Sequence, residues 1–561
     1  MTNRNRVDFL LLAGFCAFLF FYGLAQFGLI GADEPRYAQV AREMLARHDW
    51  ITPMLGGKPW LEKPPLYYWQ AIIAYKLFGV SDWAARLPSA FDATFLVFAV
   101  YFFLDRFSSG VALDGALTVA SSTGIIGYAR AASTDIPLAA AFGIGMLAWW
   151  SWRESGKRIY LALFFFFVAL GMLAKGPVAP FLAGVVIVLY AVAVRELRLV
   201  LKSLWPPGIL FFCATALPWY FAVQVRNPQF FHDFILEQNL GRFSHNIYHH
   251  VQPFWYYLPV TALAVVPWTI FAIVAFVGVV QSWCSNRESP AESKDEETRK
   301  EKKEKDEKEE KSEAIEPRFG PFACCWLIVP IIFFSASASK LPGYILPAIP
   351  GAGLLVAVYL LQHLCRQETV SPPKMLSVLH AMVAAAPIIP ALLIAYLITQ
   401  HRLPRGRPLF GAIAIASLLC IGIALTLLRK NGFRMLRFVT LIPVVLSVAA
   451  VLKLGSQAID QTMSARPVAR ELASIETHQL PISVYHVRRE LEYGLTFYRN
   501  QLTINYAWGH IPAEEHLLIT PEGSQLEIAK LMPGRRVSFL GEYPPQHIDY
   551  FWISAATSST P

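Results

Sequence analysis

The sequence predicts an α-helical polytopic membrane protein that carries a small α/β domain at its C-terminal end. Three observations predict it. Of 561 residues, 55% are hydrophobic and only 16% are charged, against about 25% charged in soluble domains. The charges are also unevenly spread, because residues 282–320 alone hold ten Lys/Arg and thirteen Asp/Glu. The remainder cannot cover itself with polar side chains, so most of its surface meets a bilayer. Third, apolar runs of spanning length, roughly 17 to 25 residues each, recur until about residue 453 and then stop.

Those runs fall near 8–30, 86–104, 112–130, 134–152, 158–174, 177–194, 205–225, 254–281, 321–338, 343–363, 375–399, 408–428 and 434–453, about thirteen transmembrane helices. Cytoplasmic loops are enriched in Lys and Arg, so Arg4 and Arg6 put the N-terminus inside. Alternation then leaves Arg153/Lys157/Arg158, Arg195/Arg198/Lys202, the 282–320 run, Arg366/Lys374 and Arg429/Lys430/Arg434/Arg437 in the cytoplasm. Arg402, Arg405 and Arg407 fall outside, against the rule. Residues 8–30 are longer than a typical signal-peptide core and end without an AxA-like site, so they read as a retained first span.

Basic residues are scattered between apolar runs and form no stripe with interleaved aromatics, so no nucleic-acid partner is expected. The seven cysteines lie in or beside apolar runs without paired CxxC spacing, which disfavours a disulfide framework and a cysteine metal site. The 282–320 insert has almost no apolar residue and reads as a solvated or disordered cytoplasmic linker, with a partner-binding role as the lesser reading.

The predicted topology puts residues 31–85, residues 226–253 and everything after about 453 on the extracytoplasmic side. The chain divides into a membrane domain, 1–453, and an extracytoplasmic α/β domain, 454–561. In the latter, short apolar stretches (Ile482 to Val487, His516 to Thr520, Val537 to Gly541, Ile548 to Ser554) alternate with helical patterns (Arg488 to Tyr498, Ser524 to Leu531).

The first outer loop opens with Gly31-Ala32-Asp33-Glu34-Pro35-Arg36-Tyr37. Tyr37, Val40, Ala41, Met44 and Leu45 then follow the spacing of an amphipathic helix lying along the interface. Two readings stand for Asp33: an N-cap carboxylate, or a functional group. Capping does not explain why Arg36 and a second acid gather there, nor the cluster Pro59-Trp60-Leu61-Glu62-Lys63-Pro64-Pro65, which prolines stiffen. Asp135, after Ser133-Thr134, is likewise either an N-cap or part of a site. His249 and His250 precede Phe254-Trp255-Tyr256-Tyr257, whose rings suit an interfacial belt. Lys340, in Lys340-Leu341-Pro342-Gly343-Tyr344, either snorkels to headgroups or binds an anion. Together these place carboxylates, cations, a Tyr and a His on one face of a helical bundle, as a site for an anionic lipid headgroup requires.

With these motifs, Arg86-Leu87-Pro88-Ser89, and the stretch from Ser339 to Pro347, the sequence resembles the lipid A aminoarabinose transferases, within the protein-mannosyltransferase-like group of GT-C glycosyltransferases. The resemblance covers roughly residues 8–453, and the charged insert departs from it. It implies a GT-C membrane enzyme with a polyprenyl-phosphate-linked sugar as donor and a glycolipid or protein as acceptor, working at the outer face of a bacterial-type plasma membrane. It implies Asp33 and Asp135 as the acidic residues of the site. Arg36, Lys63 and Tyr344, with Lys340 beside them, would bind the donor phosphate. Glu62 and His250 resemble a pair that can hold a divalent metal ion or bridge two loops. No nucleotide cofactor is implied.

Such residue types make chemical sense for glycosyl transfer. Negative charge grows on the departing phosphate, so cations and an O–H aimed at it stabilise the transition state more than the ground state. A carboxylate is needed as base only if the acceptor is a hydroxyl, since an acceptor phosphate is already ionised. Protein O-mannosyl transfer uses much the same parts and is the alternative within enzymes. A lipid-linked-sugar transporter or flippase is the alternative outside them, but transporters place polar residues and broken helices near the midplane in repeated halves. Here the informative charges sit at one face and no internal repeat is visible.

Overall fold

The computed structural model describes residues 3–241, 252–288, 319–364, 374–429 and 432–555. His250 and most of the 282–320 insert lie outside these residues. The apolar runs fall largely on helix, although the first leaves it after Phe21. Eight helices among the described residues are long and apolar enough to cross a membrane, or nine if one bent pair counts as a single span. The chain is a multi-pass membrane protein, built mostly from helices.

Lipid-facing surface accounts for the composition. Leu10, Phe95, Leu210, Phe221, Leu263, Phe410 and Leu418 are more than 60% exposed, while Trp149, Trp150, Trp268 and Trp326 are fully buried between helices. The Asp135–Ser155 and Arg158–Lys175 helices, joined by a turn at Gly156, form a tight antiparallel pair at the centre.

One predicted span is broken. Residues 254–281 read as continuous, yet Phe254–Ala264 and Thr269–Ser285 meet at 115°. Pro267 has no N–H to continue the helical ladder. The carbonyl of Leu263, four residues before it, accepts from the Thr123 hydroxyl, and the Val266 carbonyl within the break accepts from Thr123 N at 3.0 Å.

The loop after the first span, residues 31–85, is a compact layer rather than a helix lying alone on the interface. The Asp33–Ala46 helix buries Tyr37, Val40, Ala41 and Met44 against Tyr67, Tyr68, Ala71 and Tyr75 of the Leu66–Phe78 helix and against Phe497. Between these helices, β1 (Met54–Leu55) and β2 (Lys58–Pro59) form an antiparallel hairpin. Gly56 and Gly57 turn it with φ of +60° and +74°, backbone angles that side chains disfavour. The Glu43 carboxylate accepts from both their amides, at 2.8 and 3.1 Å.

Near the C-terminus, β3 (Ile482–Val484), β4 (Thr503–Asn505), β5 (His516–Pro521), β6 (Val537–Tyr543) and β7 (Ile548–Ile553) form one mixed sheet in the order β4-β3-β5-β7-β6. β3 pairs in parallel with β4 and β5, whereas β7 is antiparallel to β5 and β6. The Arg489–Arg499 and Gln525–Leu531 helices connect β3 to β4 and β5 to β6.

The sheet and its helices are fastened to the first loop. Arg466 pairs with Asp82 at 2.8 Å and Asp460 at 2.9 Å, and donates to the Ala25 and Gln26 carbonyls. The Tyr498 hydroxyl accepts from Leu29 N at 2.7 Å, and the Asp460 carboxylate from Gly28 N at 2.7 Å. A Cβ on Gly28 would lie 2.5 Å from the Tyr498 hydroxyl, so this approach requires glycine.

Candidate functional site

Helix geometry assigns different tasks to the two adjacent acids of the first loop. Ala32 is the N-cap of the Asp33–Ala46 helix and no side chain caps it. Asp33 therefore occupies the first turn, where a carboxylate suits the dipole, and forms an ion pair with Arg36 one turn on. Its side chain is 53% exposed. Glu34, one step round the helix, turns inward. Its Oε1 accepts from Arg86 Nε at 3.0 Å and from Ala132 N at 2.7 Å. Its Oε2 accepts from Arg86 Nη2 at 2.7 Å and Ile30 N at 2.8 Å. Arg86 spends its other N–H groups on the carbonyls of Leu24, Phe27 and Gly28. This buried pair is fully satisfied and is an architectural element.

Arg36 lies in an aromatic box. Its guanidinium carbon is 5.3 Å from the Tyr37 ring centre, 5.0 Å from Trp60 and 5.7 Å from Tyr493. The β1–β2 hairpin brings Trp60 there, with Trp60 N donating to the Pro53 carbonyl at 2.8 Å. Burial opposes the Arg36 charge, but its neighbours, the Asp33 and Glu62 carboxylates among them, outweigh it and raise the pKa, so the cation persists. Its Nε is buried and lacks a hydrogen-bond partner among the described residues.

A second cluster forms around Asp135. Asp135 is in the first turn of its helix, whose N-cap Thr134 makes no side-chain cap bond. Ser133 Oγ accepts from Asp135 N and donates to Asp135 Oδ2, each at 3.0 Å. Lys175, at the last turn of the Arg158–Lys175 helix, pairs with Asp135 Oδ1. The same ammonium lies 4.1 Å from the centre of the Tyr344 ring. Gly176, at φ +88°, ends that helix and leaves Lys175 at its tip.

The two clusters converge. Tyr37 is within electrostatic reach of Asp33, Arg36 and Asp135, and Tyr128 within reach of Asp135, Asp33, Tyr256 and Tyr344. Burial first, and then Asp33, raises the Tyr37 pKa well above its ordinary value, which keeps that phenol protonated. A Cβ on Gly343 would come within 2.7 Å of the Tyr128 ring, so the Tyr344 loop packs closely on it.

The remaining candidates are placed as follows. Glu62 lies near Arg36 and Tyr68. Lys63 is half-buried in the same loop. Lys340 is buried and donates to the Ser337 carbonyl at 2.5 Å, so its ammonium is bound locally and burial lowers its pKa. His250 lies outside the described residues. Among those described, the His/Cys/Asp/Glu group with gathered ligand atoms is His232, Asp233 and Glu237, an exposed cluster that does not include Glu62.

Lys175 had no reading from sequence, where it is a lone lysine between two apolar runs. The available signal was alternation, which puts Lys175-Gly176-Pro177 at the same outer face as Asp33. Trp60, Tyr128 and Tyr493 carry no individual signal, because aromatic residues abound at membrane interfaces.

Comparison with known proteins adds independent findings. A family model described as dolichyl-phosphate-mannose-protein mannosyltransferase matches residues 7–234. The crystal structure of ArnT from Cupriavidus metallidurans superposes on 98% of this chain and 98% of its own in the apo state, with a TM-score of 0.76 at 19% identity. The undecaprenyl-phosphate-bound form gives 0.74 at 20% identity, covering 98% and 99%. The chain has the fold of ArnT. In sequence it is 31% identical over 350 residues to an undecaprenyl phosphate-alpha-4-amino-4-deoxy-L-arabinose arabinosyl transferase of Aeromonas hydrophila, covering 61% of this chain and 58% of that one. A protein of the same name from Photorhabdus laumondii is 29% identical over 338 residues, covering 58% and 54%. The matched stretch spans somewhat over half the length of these ArnT-type relatives.

Proposed function

We propose that the protein is a membrane glycosyltransferase. It moves a sugar from a polyprenyl-phosphate carrier to an envelope acceptor of the lipid A kind, at the extracytoplasmic face of a bacterial inner membrane. The observation that carries the reading is the convergence of two carboxylate–cation pairs, Asp33–Arg36 and Asp135–Lys175, with Tyr344 against the second. The names of the similar transferases support the donor class. On this reading the chain crosses the bilayer about thirteen times and divides near residue 453, with the sheet outside.

Arg36 and Lys63 bind the donor phosphate. As the anomeric C–O bond breaks, charge grows on that phosphate, and fixed cations there lower the barrier. Tyr344 supplies an O–H to the same anion. Asp33 and Asp135 orient the sugar's polar groups, and one of them takes the acceptor's proton where the acceptor is a hydroxyl. A single displacement without a covalent intermediate predicts inversion at the anomeric carbon. Glu62 with His250 is the candidate pair for a divalent metal ion.

The test incubates purified protein with a panel of polyprenyl-phosphate sugars and membrane acceptors, following products by mass spectrometry beside Asp33→Asn and Lys63→Ala. Loss of transfer in both variants is expected. Full turnover by both overturns the site, and donor movement across the membrane without transfer supports a transporter instead.

A further inference from the structure

The cation that the first loop presents is held in place by a residue 457 positions further along the chain. We propose that Tyr493, on the Arg489–Arg499 helix beside the C-terminal sheet, is a positioning residue for Arg36, and that through it this helix is an integral part of the donor site.

Arg36 has three lateral supports besides Asp33: Tyr37 on its own helix, Trp60 on the hairpin, and Tyr493. The first two belong to the same loop and move with it. Tyr493 comes from a distant segment of the chain, and its helix is fixed against the loop at several points. Arg42 Nη1 donates to the Phe497 carbonyl at 2.7 Å, and its guanidinium carbon lies 5.7 Å from the Phe497 ring. Phe497 is buried in the loop's own apolar core. Tyr498 bonds Leu29 N, and Arg466 binds Asp82 and the Ala25 carbonyl. Gly494 sits against Ala465, where a Cβ would come within 2.5 Å, so this helix is also pinned from behind. Tyr493 therefore stands at a fixed distance from the guanidinium. A long, flexible arginine otherwise loses rotamer freedom each time it engages an anion. An aromatic face that is already in place removes part of that cost. It is the ring that carries this role and the hydroxyl is dispensable, since none of the hydrogen bonds described involves it.

The inference rests on the proposed donor chemistry, so its test begins with binding, which does not depend on the acceptor or on turnover. Full-length protein in detergent is titrated with undecaprenyl phosphate, following tryptophan fluorescence, for wild type, Tyr493→Ala, Tyr493→Phe, Arg36→Ala and the Arg36→Ala/Tyr493→Ala pair. Removing a desolvated cation–π contact corresponds to roughly 5- to 30-fold in affinity. Tyr493→Ala is expected to weaken binding by about that factor and Tyr493→Phe to restore it. On the Arg36→Ala background, Tyr493→Ala is expected to add nothing, because the two act as a unit. Wild-type affinity in Tyr493→Ala, an equal loss in Tyr493→Phe, or an undiminished loss on the Arg36→Ala background each overturns the proposal. Failure of wild-type protein to bind the lipid phosphate at all refutes the donor reading instead. Unfolding temperatures measured alongside identify any variant that fails by misfolding, and Tyr493→Leu then replaces Tyr493→Ala.

Discussion

Lys175 reaches from the tip of one helix to pair with Asp135 at the start of another. The ammonium has two neighbours, a carboxylate and the Tyr344 ring, so its position depends on both.

Replacing Lys175 by methionine keeps the stem and deletes the charge. Losing one positioned charge or donor in a transfer site commonly costs about 2.7 to 4 kcal/mol of barrier. Transfer measured by product mass spectrometry is expected to fall roughly 10²-fold or more, with Lys175→Arg recovering part of it. Wild-type turnover by Lys175→Met would remove Lys175 from the site.

The two lysines assigned to the donor phosphate separate in the same assay. The Lys340 ammonium is buried on the Ser337 carbonyl, whereas Lys63 belongs to the loop that surrounds Arg36. Lys340→Met is expected to lose at least about tenfold less donor affinity than Lys63→Ala, given that a charged hydrogen bond is worth about 1.5 to 3 kcal/mol. Equal losses would place Lys340 on the phosphate after all.

The neighbouring acids should differ in what they break. Glu34→Ala leaves Arg86 buried without its partner, which costs about 3 to 5 kcal/mol. Asp33→Ala removes a half-exposed pair worth about 1 kcal/mol or less. Unfolding in detergent should show a large drop for the first and almost none for the second.

His516 links the sheet to pH. Its Nδ1–H donates to the Glu514 carbonyl at 2.7 Å and its Nε2 accepts from the Tyr506 hydroxyl, so the folded form holds a neutral ring. Burial first, and Arg535 after it, lower its pKa. The unfolded chain then takes up a proton that the folded one refuses, so stability present above about pH 6.5 is lost as pH falls toward the lowered value. Hydrogen-exchange protection factors in β5 should decline below about pH 6.5, and His516→Gln should flatten that decline. A pH-independent profile in wild type would contradict it.

Much of this was legible in the residues. Apolar run length located the helices because the bilayer sets a minimum that few other structures need. The residues around Asp33 and Glu62 marked the first loop because capping accounts for one acid but not for two charged motifs between apolar runs. Pattern could not reveal the 115° bend, since prolines such as Pro259 and Pro267 inside an apolar run do not by themselves say which of them breaks the span. β4 was missed because three residues, Thr503, Ile504 and Asn505, are too short to show a period. The capping expectation for Asp33 and Asp135 named the right helix ends, but both acids sit one residue inside, where they meet cations instead of amides. Lys175, Trp60 and Tyr493 depended on contacts between distant segments, and no local rule reports those.

Glu34 is anchored by the guanidinium of Arg86 and by two backbone amides, so the helix that follows cannot rotate about its axis or slide along it. One peptide unit earlier, Asp33 inherits that fixity without making any of those bonds. The rigid acid therefore acts as a peg for the neighbour proposed to engage the sugar, and on that reading damage to the peg would register as lost activity even in molecules that still reach the membrane.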